Sequence, residues 1–558
     1  MFSSAKKMLQ VTIVYSKSNN YGLKKDAEML KKALSGKATV RFADPLEPPV
    51  VSDINIHLEI PVYVYVPWAS HNILIVNPEC YAADSWDPYL KHFQIITKEK
   101  LDFPESHHCP WASIPVLNIK TTKEREFLYL LEDSTNKHAA AKEVIKCWKE
   151  SYPTLNVYST VGLDIELPKN VNLVIKDLTD IERQTLQCKY TGHVCCSIAE
   201  GFSYTAAEAE SVGAFTIINT LPVYVQDYVS NPNVFFIDTP TAPAEHYKYS
   251  SYVSMYTNLN RDLDLAVEKF LSWKPTVVVN TKYADFKKNL IAILDKLPEK
   301  KLVKTLPPIL THEECPPITV ITLLYNRRRF FDLACHNIMI SDYPKEKIEW
   351  IVVEDSDDPN EDSSDKIQQV CEASKPMNIV YVPLAKKSSV AKKRNTGIQK
   401  ASNDIVLFMD DDDHYPITSF RRRVAWLINH PMQVKAVACT TIACYDLIKG
   451  ISAVNTPPFE LPLGQRISEA TLTCYKSWAL QQLFDSSVQV GEGETFIKGR
   501  ESDVLEIPPQ QIIVAFSHGK NTSSRRIPSD NSVAPSCFWG FPKEYLQFIH
   551  KLAGVTVV

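Results

Sequence analysis

Short apolar runs rich in β-branched residues alternate with amphipathic helical patterns along most of the chain. The first run, "VTIVYS", is followed by a helix predicted around residues 24–34. Further strands are predicted at "NILIVN", "EFLYLLE", "LNVYST", "NLVIKD", "VCCSIA" and "FTIINT". Alternation of this kind is typical of doubly wound α/β folds, in which helices cover both faces of a parallel sheet.

Proline and charged residues interrupt the alternation between Pro298 and Pro317. A helix, "ADFKKNLIAILDKL", precedes the interruption. A second α/β series follows it, with strands predicted at "ITVITLLY", "EWIVVEDS", "NIVYVPL", "DIVLFMD" and "VKAVACTT". The N-terminal half is long enough for two Rossmann-like lobes. The predicted domains are a first lobe at 8–132, a second lobe at 133–297, a linker at 298–315 and a C-terminal domain at 316–558.

The composition is that of an ordinary globular protein, with 45% hydrophobic and 23% charged residues and a net charge of −4. Because there is no basic excess, we do not expect the protein to bind nucleic acid. No apolar stretch approaches the roughly 20 residues of a membrane-spanning helix, and the N-terminus lacks the apolar core of a signal peptide. The 13 cysteines form no CxxC pair and lie mostly among apolar residues, which favours reduced thiols. We therefore expect a soluble, cytoplasmic protein.

Three strands of the second series are predicted to end in polar groups. "DIVLFMD" runs into four consecutive aspartates, Asp410 to Asp413; the other two strands end at Tyr325 to Arg327 and at Glu354 and Asp355. Adjacent carboxylates raise one another's pKa unless a positive charge lies among them, and a divalent cation held by oxygen ligands would supply it. Ligands bind at the carboxyl ends of parallel strands. The pattern therefore predicts a metal and nucleotide site rather than the alternative, a solvated acidic loop.

The order of these motifs resembles the GT-A glycosyltransferases of the large inverting family that includes cellulose and chitin synthases. Members usually open with a strand ending in a Tyr-Asn-Arg-like turn, here "LLYNR", followed by a strand ending in paired acids, here "VVEDSD". An Ala-Arg-Asn-x-Gly helix and an Asp-x-Asp motif come next, here "AKKRNTGI" and "FMDDDD". The resemblance implies a nucleotide-diphospho-sugar transferase domain at 316–558. It would take a nucleotide-sugar donor, with uridine as the favoured base, and a glycan or glycoconjugate acceptor.

The resemblance also implies roles for individual residues. Asp410 and Asp412 would hold Mn²⁺ or Mg²⁺, and His518, at the end of the strand "IIVAFSH", would complete the metal shell. Asp413 is a metal-site neighbour or a cap of the strand-to-loop turn. The predicted donor contacts are Tyr325, Arg327, Asp355, Arg394, Asp410 and Asp411. For Lys392 and Lys393, an exposed helix face and a phosphate contact are equally good interpretations.

Inverting transfer needs a general base that deprotonates the acceptor hydroxyl. In the family this base is an Asp or Glu well downstream of the Asp-x-Asp motif, just before a helix. The segment "VGEGETFIKG" offers Glu492 and Glu494 in that position. The Gly-Glu-Gly pattern favours Glu492, while Glu494 and a plain glycine-rich turn stay open as alternatives.

The N-terminal half carries a second candidate site in "SIAEGFSYTAAEAES", where seven residues separate Glu200 from Glu208. The stretch resembles the Glu-x7-Glu signature of retaining GT-B glycosyltransferases, with Ser203 in place of the usual glycine. The resemblance implies a metal-independent site with Glu200 near the donor sugar as a catalytic residue and Glu208 near the ribose. A helix N-terminus and Lys137 would contact the diphosphate; alternatively, Lys137 is an exposed lysine at a helix start.

The preferred hypothesis is a bifunctional glycosyltransferase with a GT-B module followed by a GT-A module. It resembles multi-domain transferases of large DNA viruses, and linked sites would raise the local acceptor concentration. In the alternative, only the GT-A half is catalytic and the GT-B half is a degenerate scaffold or a glycan-binding module. A metal-dependent nucleotidyltransferase or phosphohydrolase is a further hypothesis, but the chain has no GxxxxGK[ST] loop. The last hypothesis is a non-enzymatic sensor that binds a nucleotide sugar and does not turn it over.

Overall fold

A computed structural model describes residues 8–19, 21–100, 103, 105–243, 252–256, 259–298, 306–430, 432–488, 491–519, 521, 537 and 539–555. Within these ranges the strands form large sheets that helices cover, as the alternating pattern predicts. In the part of the chain that the structure describes, no helix combines the length and apolarity needed to cross a lipid bilayer.

The first sheet belongs to the first lobe. Its strands are β1 Leu9–Val14, β2 Ala38–Ala43, β3 Ser52–Leu58, β4 Ala69–Val76, β5 Gln94–Thr97 and β6 Ser106–His108. They pair in parallel in the order β2-β1-β3-β4-β5-β6. The helices of this lobe are α1 Gly22–Ala33 and α2 Ala83–Trp86.

The second sheet follows the same plan. Its strands are β7 Glu124–Glu132, β8 Leu155–Ser159, β9 Val171–Ile175, β10 Tyr190–Val194, β11 Phe215–Asn219 and β12 Val234–Ile237, in the order β12-β11-β10-β7-β8-β9. All of these pairs are parallel. A small hairpin joins β13 Thr241–Pro243 to β14 Tyr252–Ser254. The helices are α3 Thr135–Lys146, α4 Asp180–Lys189, α5 Tyr204–Ser211, α6 Pro222–Tyr228 and α7 Leu259–Ser272.

Two details of the N-terminal half were not predicted. The strand expected at "VCCSIA" lies earlier, at Tyr190–Val194, and beyond it the amide of Ser197 bonds to the side chain of Asn219 in β11 rather than to the backbone (3.1 Å). Helix α8, Lys282–Asp295, follows the second lobe but packs its Phe286 and Leu290 into the core of the first lobe. The chain thus crosses back between the lobes before it enters the C-terminal domain.

The C-terminal domain has the largest sheet. Its strands are β15 Ile318–Leu324, β16 Ile348–Glu354, β17 Asn378–Pro383, β18 Ile405–Phe408, β19 Ala436–Ala438, β22 Thr473–Tyr475 and β23 Val504–Glu506, in the order β17-β16-β15-β18-β22-β19-β23. A smaller sheet contains β20 Ile442–Asp446, β21 Ile451–Asn455 and β24 Val514–Ser517. The helices are α9 Phe331–Ile340, α10 Ser364–Ala373, α11 Val390–Lys400, α12 Ser419–Ile428, α13 Leu463–Arg466, α14 Lys476–Ala479, α15 Glu492–Ile497 and α16 Lys543–Leu552.

Strand β22 runs against its neighbours in the largest sheet. It pairs antiparallel with β18, with Leu407 opposite Thr473, and antiparallel with β19. The residues that precede β22 therefore lie at the same sheet edge as the residues that follow β18. This reversal brings residues 469–472 next to the four aspartates.

The first lobe and the C-terminal domain share one hydrophobic core. Trp68 and Trp86 of the lobe are buried in the same cluster as Trp426 of α12, and the rings of Trp68 and Trp426 are 6.2 Å apart. The indole nitrogen of Trp86 donates a hydrogen bond to the carbonyl of Phe459 (2.9 Å). The two units are therefore packed against each other and not merely tethered.

The segment interpreted as a linker takes part in this packing. Leu310 and Cys315 are buried in the shared core, and the guanidinium of Arg421 donates a hydrogen bond to the carbonyl of Leu310 (2.5 Å). Residues 299–305 of the predicted linker lie outside the described residues. Residues 306–315 thus take part in the core shared by the first lobe and the C-terminal domain.

Candidate active site

Four aspartates form the turn that follows β18. Asp411, Asp412 and Asp413 are buried, and Asp410 is partly exposed. One carboxylate oxygen from each of Asp410, Asp412 and Asp413 lies within 4.8 Å of the others. Such a group of oxygens can hold a divalent cation.

Asp413 also fastens the turn to neighbouring elements. Its carboxylate accepts a hydrogen bond from the amide of Phe516 in β24 (2.9 Å), and its carbonyl accepts one from the side chain of Asn337 in α9 (2.7 Å). These contacts agree with the capping role considered for this residue. They hold the other carboxylates at the edge of the sheet.

Arg327 and Asp411 make up the inner wall of the site. The guanidinium of Arg327 donates hydrogen bonds to Asp411 (3.1 Å) and Asp412 (2.7 Å). The second oxygen of Asp411, Oδ2, is buried and has no hydrogen-bond partner among the described residues. Burial raises the pKa of Asp411, although Arg327 opposes the rise. A buried carboxylate oxygen without a partner is costly, and a cation near it would remove that cost.

His518 lies where the sequence predicts a metal ligand, beside Asp412. Its Nε2 is 2.9 Å from Oδ2 of Asp412, and the side chain is buried against the ring of Phe330, 4.3 Å away. The side chain of Asn521 approaches both His518 (3.1 Å) and Asp412 (3.3 Å). Carboxylate oxygens with an imidazole suit Mn²⁺ or Mg²⁺, so the residues present fit such an ion.

Asp355 and Lys393 form a buried ion pair at the end of β16. Lys393 Nζ is 2.7 Å from one carboxylate oxygen, and the amide of Ser388 donates to the other (2.7 Å). Lys393 is buried (4% exposed), so its interpretation as part of an exposed helix face is wrong. Lys392 is exposed, as that interpretation predicts. Tyr325 lies nearby, with Nζ of Lys387 4.2 Å from its ring centre.

Helix α11 brings Arg394 to the aspartates because it packs very closely on β15. A Cβ at Gly397 would lie 2.6 Å from the side chain of Ile321, so a larger residue there would push the helix away. Arg394 Nε donates to Glu492 (3.2 Å), and its Nη2 lies 3.6 Å from Asp410. Burial tends to lower the pKa of Arg394, but the carboxylates of Asp410 and Glu492 raise it overall.

The two predicted base candidates differ in their surroundings. Glu492 is buried at the start of α15 and pairs with Arg394. Glu494 is exposed, and its carboxylate accepts a hydrogen bond from the side chain of Gln465 (3.0 Å). Of the two, Glu492 is therefore the one linked to the aspartates through Arg394.

Glu469 is a site residue that the sequence analysis missed. Its carboxylate accepts a hydrogen bond from the amide of Gly493 (2.9 Å), next to Glu492. In the sequence, the only sign of Glu469 as a site residue is its position shortly before a short apolar strand. That strand runs antiparallel to β18, and its direction becomes visible only in the fold.

The second candidate site is a cleft of about 360 Å³ between the N-terminal lobes. Glu200 and Lys137 both line it, together with the start of α3. Lys137 is buried and lies 3.5 Å from Glu132, so its interpretation as an exposed lysine is wrong. Burial raises the pKa of Glu200, and the charge of Lys137 opposes the rise.

Glu208 and Glu132 are engaged with protein cations. Glu208 accepts a hydrogen bond from Gln187 (2.6 Å) and lies 3.2 Å from Lys25. Glu132 lies 3.4 Å from Lys25 and 3.5 Å from Lys137. Burial opposes the ionisation of Glu132, but these lysines and Arg183 lower its pKa to about 2. The lysines of this cleft thus already have anionic partners.

Each candidate site contains residues with a left-handed backbone at the end of a strand. Glu59 follows β3 (φ +69°), Glu132 ends β7 (φ +55°) and Asn326 follows β15 (φ +51°). This conformation is uncommon for residues other than glycine, and strained positions of this kind cluster at functional sites.

Residues 319–460 match the family model described as glycosyl transferase family 2. This segment is a glycosyltransferase domain. The matched residues run from β15 to just beyond β21 and include Asp355, Arg394 and the four aspartates. The chain therefore carries an enzyme domain whose family transfers glycosyl groups. No curated protein matches the sequence at a significant level.

Several solved structures resemble part of the chain. The mannosyltransferase PcManGT from Pyrobaculum calidifontis, in complex with GDP-Man and Mn²⁺, is 20% identical over 36% of this chain and 56% of its own, with a TM-score of 0.28. TarS of S. aureus is 16% identical over 36% of this chain and 37% of its own, with a TM-score of 0.26. Its fragment 1–349 in complex with UDP is 18% identical over 36% and 60%, with a TM-score of 0.28. The chain spans less than two thirds of each of these proteins.

Proposed function

We propose that the glycosyltransferase domain transfers a sugar from a nucleotide-sugar donor to a glycan acceptor, with inversion and with Mn²⁺ or Mg²⁺. The observation that carries the proposal is the grouping of carboxylate oxygens of Asp410, Asp412 and Asp413 within 4.8 Å of one another, with Nε2 of His518 2.9 Å from Asp412. Asp410, Asp412 and His518 would hold the ion. When bound, the ion would neutralise the charge of the diphosphate leaving group.

The donor would lie against residues that already border the aspartates. Arg327 and Arg394 are both within ion-pair distance of the aspartate cluster, so they can also approach donor phosphates. Tyr325 offers an aromatic face to a base. Each carboxylate oxygen of Asp355 has a second lone pair beyond its bond to Lys393 or Ser388, but the side chain is 0% exposed, so a base or ribose would contact it only if Lys393 moves.

The proposed function is tested with the full-length chain and a set of donors. UDP-glucose, UDP-N-acetylglucosamine and GDP-mannose are titrated calorimetrically with and without Mn²⁺, and release of the nucleoside diphosphate is followed. We expect one of the nucleotides to bind and turn over only when the cation is present. Binding that ignores the cation, or no binding of any donor, would contradict the proposal.

A second proposed function is retaining, metal-independent sugar transfer by a GT-B-type N-terminal half. The cleft between the two N-terminal lobes supports it. Glu200 and Lys137 line the cleft, and α3 begins there, so a helix N-terminus is available to an anion. The pairing of Glu132 with Lys25 and Lys137 works against this function, because a diphosphate needs those charges. The same pairing favours the alternative that this half is a scaffold or a glycan-binding module.

The substitution Glu132→Gln separates these two possibilities. It frees the charge of Lys137 from its ion pair and leaves Lys25 paired with Glu208 alone, so a diphosphate site would bind UDP at least about tenfold more tightly without metal, a gain of about 1.4 kcal/mol. Calorimetry is done in an Asp412→Asn background, in which we expect no donor binding by the C-terminal domain.

Glu150→Gln serves as the control, because Glu150 is exposed, pairs with Lys169 and does not line the cleft. Tighter UDP binding in Glu132→Gln alone supports a phosphate-binding cleft and hence the bifunctional enzyme. Absence of UDP binding in both variants supports the scaffold or glycan-binding module.

A further inference from the structure

Glu469 is connected to the aspartates through the fold. It lies in the turn Glu469–Thr471 just before β22, at the sheet edge where β18 ends. The hydroxyl of Tyr415 donates a hydrogen bond to the carbonyl of Ala470 (3.1 Å) and accepts one from the amide of Asp410 (2.9 Å). One side chain thus joins the residue after Glu469 to the first aspartate.

The Glu469 carboxylate fills the space beside Gly493. A Cβ at residue 493 would lie 2.4 Å from Oε1 of Glu469 and 3.0 Å from its Cδ. No side chain fits there unless Glu469 moves. The glycine after Glu492 therefore makes room for a carboxylate that arrives from a different part of the chain, and its amide holds that carboxylate in place (2.9 Å).

Glu469 and Glu492 have different partners. Glu492 forms an ion pair with Arg394. Among the described residues Glu469 forms no ion pair within 4.0 Å, and the residue is not fully buried, which the approach of a substrate hydroxyl requires. Burial raises the pKa of Glu469, the charge of Glu492 adds to the rise, and Arg394 opposes it. A carboxylate with a raised pKa is a stronger base at neutral pH.

We propose that Glu469 is the general base of the transfer and that Glu492 is a positioning residue that holds Arg394. The proposal rests on the proposed function of the C-terminal domain. Glu469 takes the proton of the acceptor hydroxyl while the acceptor oxygen forms a bond to the anomeric carbon. The bond from that carbon to the donor phosphate breaks, and its electron pair leaves with the nucleoside diphosphate.

The test compares Glu469→Gln with Glu492→Gln in the full-length chain. In Glu469→Gln the amide oxygen of the new side chain can still accept the hydrogen bond from Gly493, so the fold is kept. We expect Glu469→Gln to bind UDP with Mn²⁺ within about twofold of wild type and to lose about 10²–10⁴-fold in turnover of the active donor. Glu492→Gln should weaken UDP binding as well, because Arg394 loses its partner. Glu469→Asp, which keeps a carboxylate, should retain more turnover than Glu469→Gln.

The pH profile supplies an independent readout. Only the ionised carboxylate accepts a proton, so wild-type turnover should rise with pH, with an apparent pKa above the ordinary value of about 4.3 for Glu. The charged groups that face Glu469 are Glu492 on α15 and Arg394 on α11. We expect this rise to be lost in Glu469→Gln and kept in Glu492→Gln.

Each other outcome has a defined meaning. Wild-type turnover in Glu469→Gln, or loss of its UDP binding together with its turnover, overturns the assignment of the base. Intact UDP binding with lost turnover in Glu492→Gln alone would return the role to Glu492. If the wild-type chain shows no cation-dependent binding of UDP or of any donor tested, the proposed function itself fails, whatever the variants do.

Discussion

Asp412→Asn should abolish cation-dependent nucleotide binding by the C-terminal domain. Asp412 lies in the carboxylate group with Asp410 and Asp413 and contacts both Arg327 (2.7 Å) and His518 (2.9 Å). The amide removes one negative charge and one strong oxygen ligand from the middle of this group. Loss of a hydrogen-bond partner behind a metal ligand already costs about 10–100-fold in metal affinity, so loss of a direct ligand should cost at least about 100-fold.

The measurement is a calorimetric titration with Mn²⁺ alone, followed by UDP with and without Mn²⁺. Asp404→Asn is the matched control, because Asp404 is an exposed aspartate at the opposite end of the same strand, β18. We expect the control to bind Mn²⁺ and UDP like wild type. Unchanged Mn²⁺ affinity in Asp412→Asn would show that the aspartates do not hold the cation.

Arg423→Met should destabilise the C-terminal domain by about 1–3 kcal/mol. Arg423 on α12 is fully buried (0% exposed) and donates hydrogen bonds to the carbonyls of Phe408 (2.9 Å) and Leu472 (2.7 Å). It also donates to the hydroxyl of Thr473 (2.8 Å). Methionine fills a similar volume but removes the donor to the carbonyl of Phe408, and it leaves the carbonyl of Leu472 with the amide of Phe408 (3.1 Å) as its remaining donor.

The effect should extend to the site, because Phe408 and Leu472 flank the turns that carry the aspartates and Glu469. Burial lowers the pKa of Arg423 to about 10, so the group is still charged at neutral pH. Urea unfolding of the two variants Arg423→Met and Arg422→Met measures the difference. Arg422 is only partly buried and bonds to Thr418 (3.0 Å), so its loss should cost less than about 1 kcal/mol. Equal stabilities would refute the supporting role of Arg423.

The local pattern of the sequence predicted the parts of this protein that depend on neighbouring residues. Apolar runs of strand length, separated by amphipathic helices, predicted the parallel α/β architecture, because strand burial shows directly in such runs. The polar residues at the ends of β15, β16 and β18 predicted one crevice, since parallel strands end at the same edge. Tyr325, Arg327, Asp355 and the four aspartates do gather there.

What the sequence could not show depends on contacts between distant segments. An apolar run does not reveal the direction of its strand, so the reversal of β22, which delivers Glu469, was invisible. The pairing of Glu132 with Lys25 joins two lobes, and the shared core of Trp86 and Trp426 joins two domains.

By itself, the sequence predicted the α/β alternation, the glycosyltransferase segment and the place of the aspartates, because these follow from periodicity and local motifs. The tertiary structure alone decided which charges are already neutralised and that Glu469, unlike Glu492, forms no ion pair among the described residues. Burial and ion pairing are set by side chains far apart in the chain, and they govern both pKa values and the cost of binding an anion.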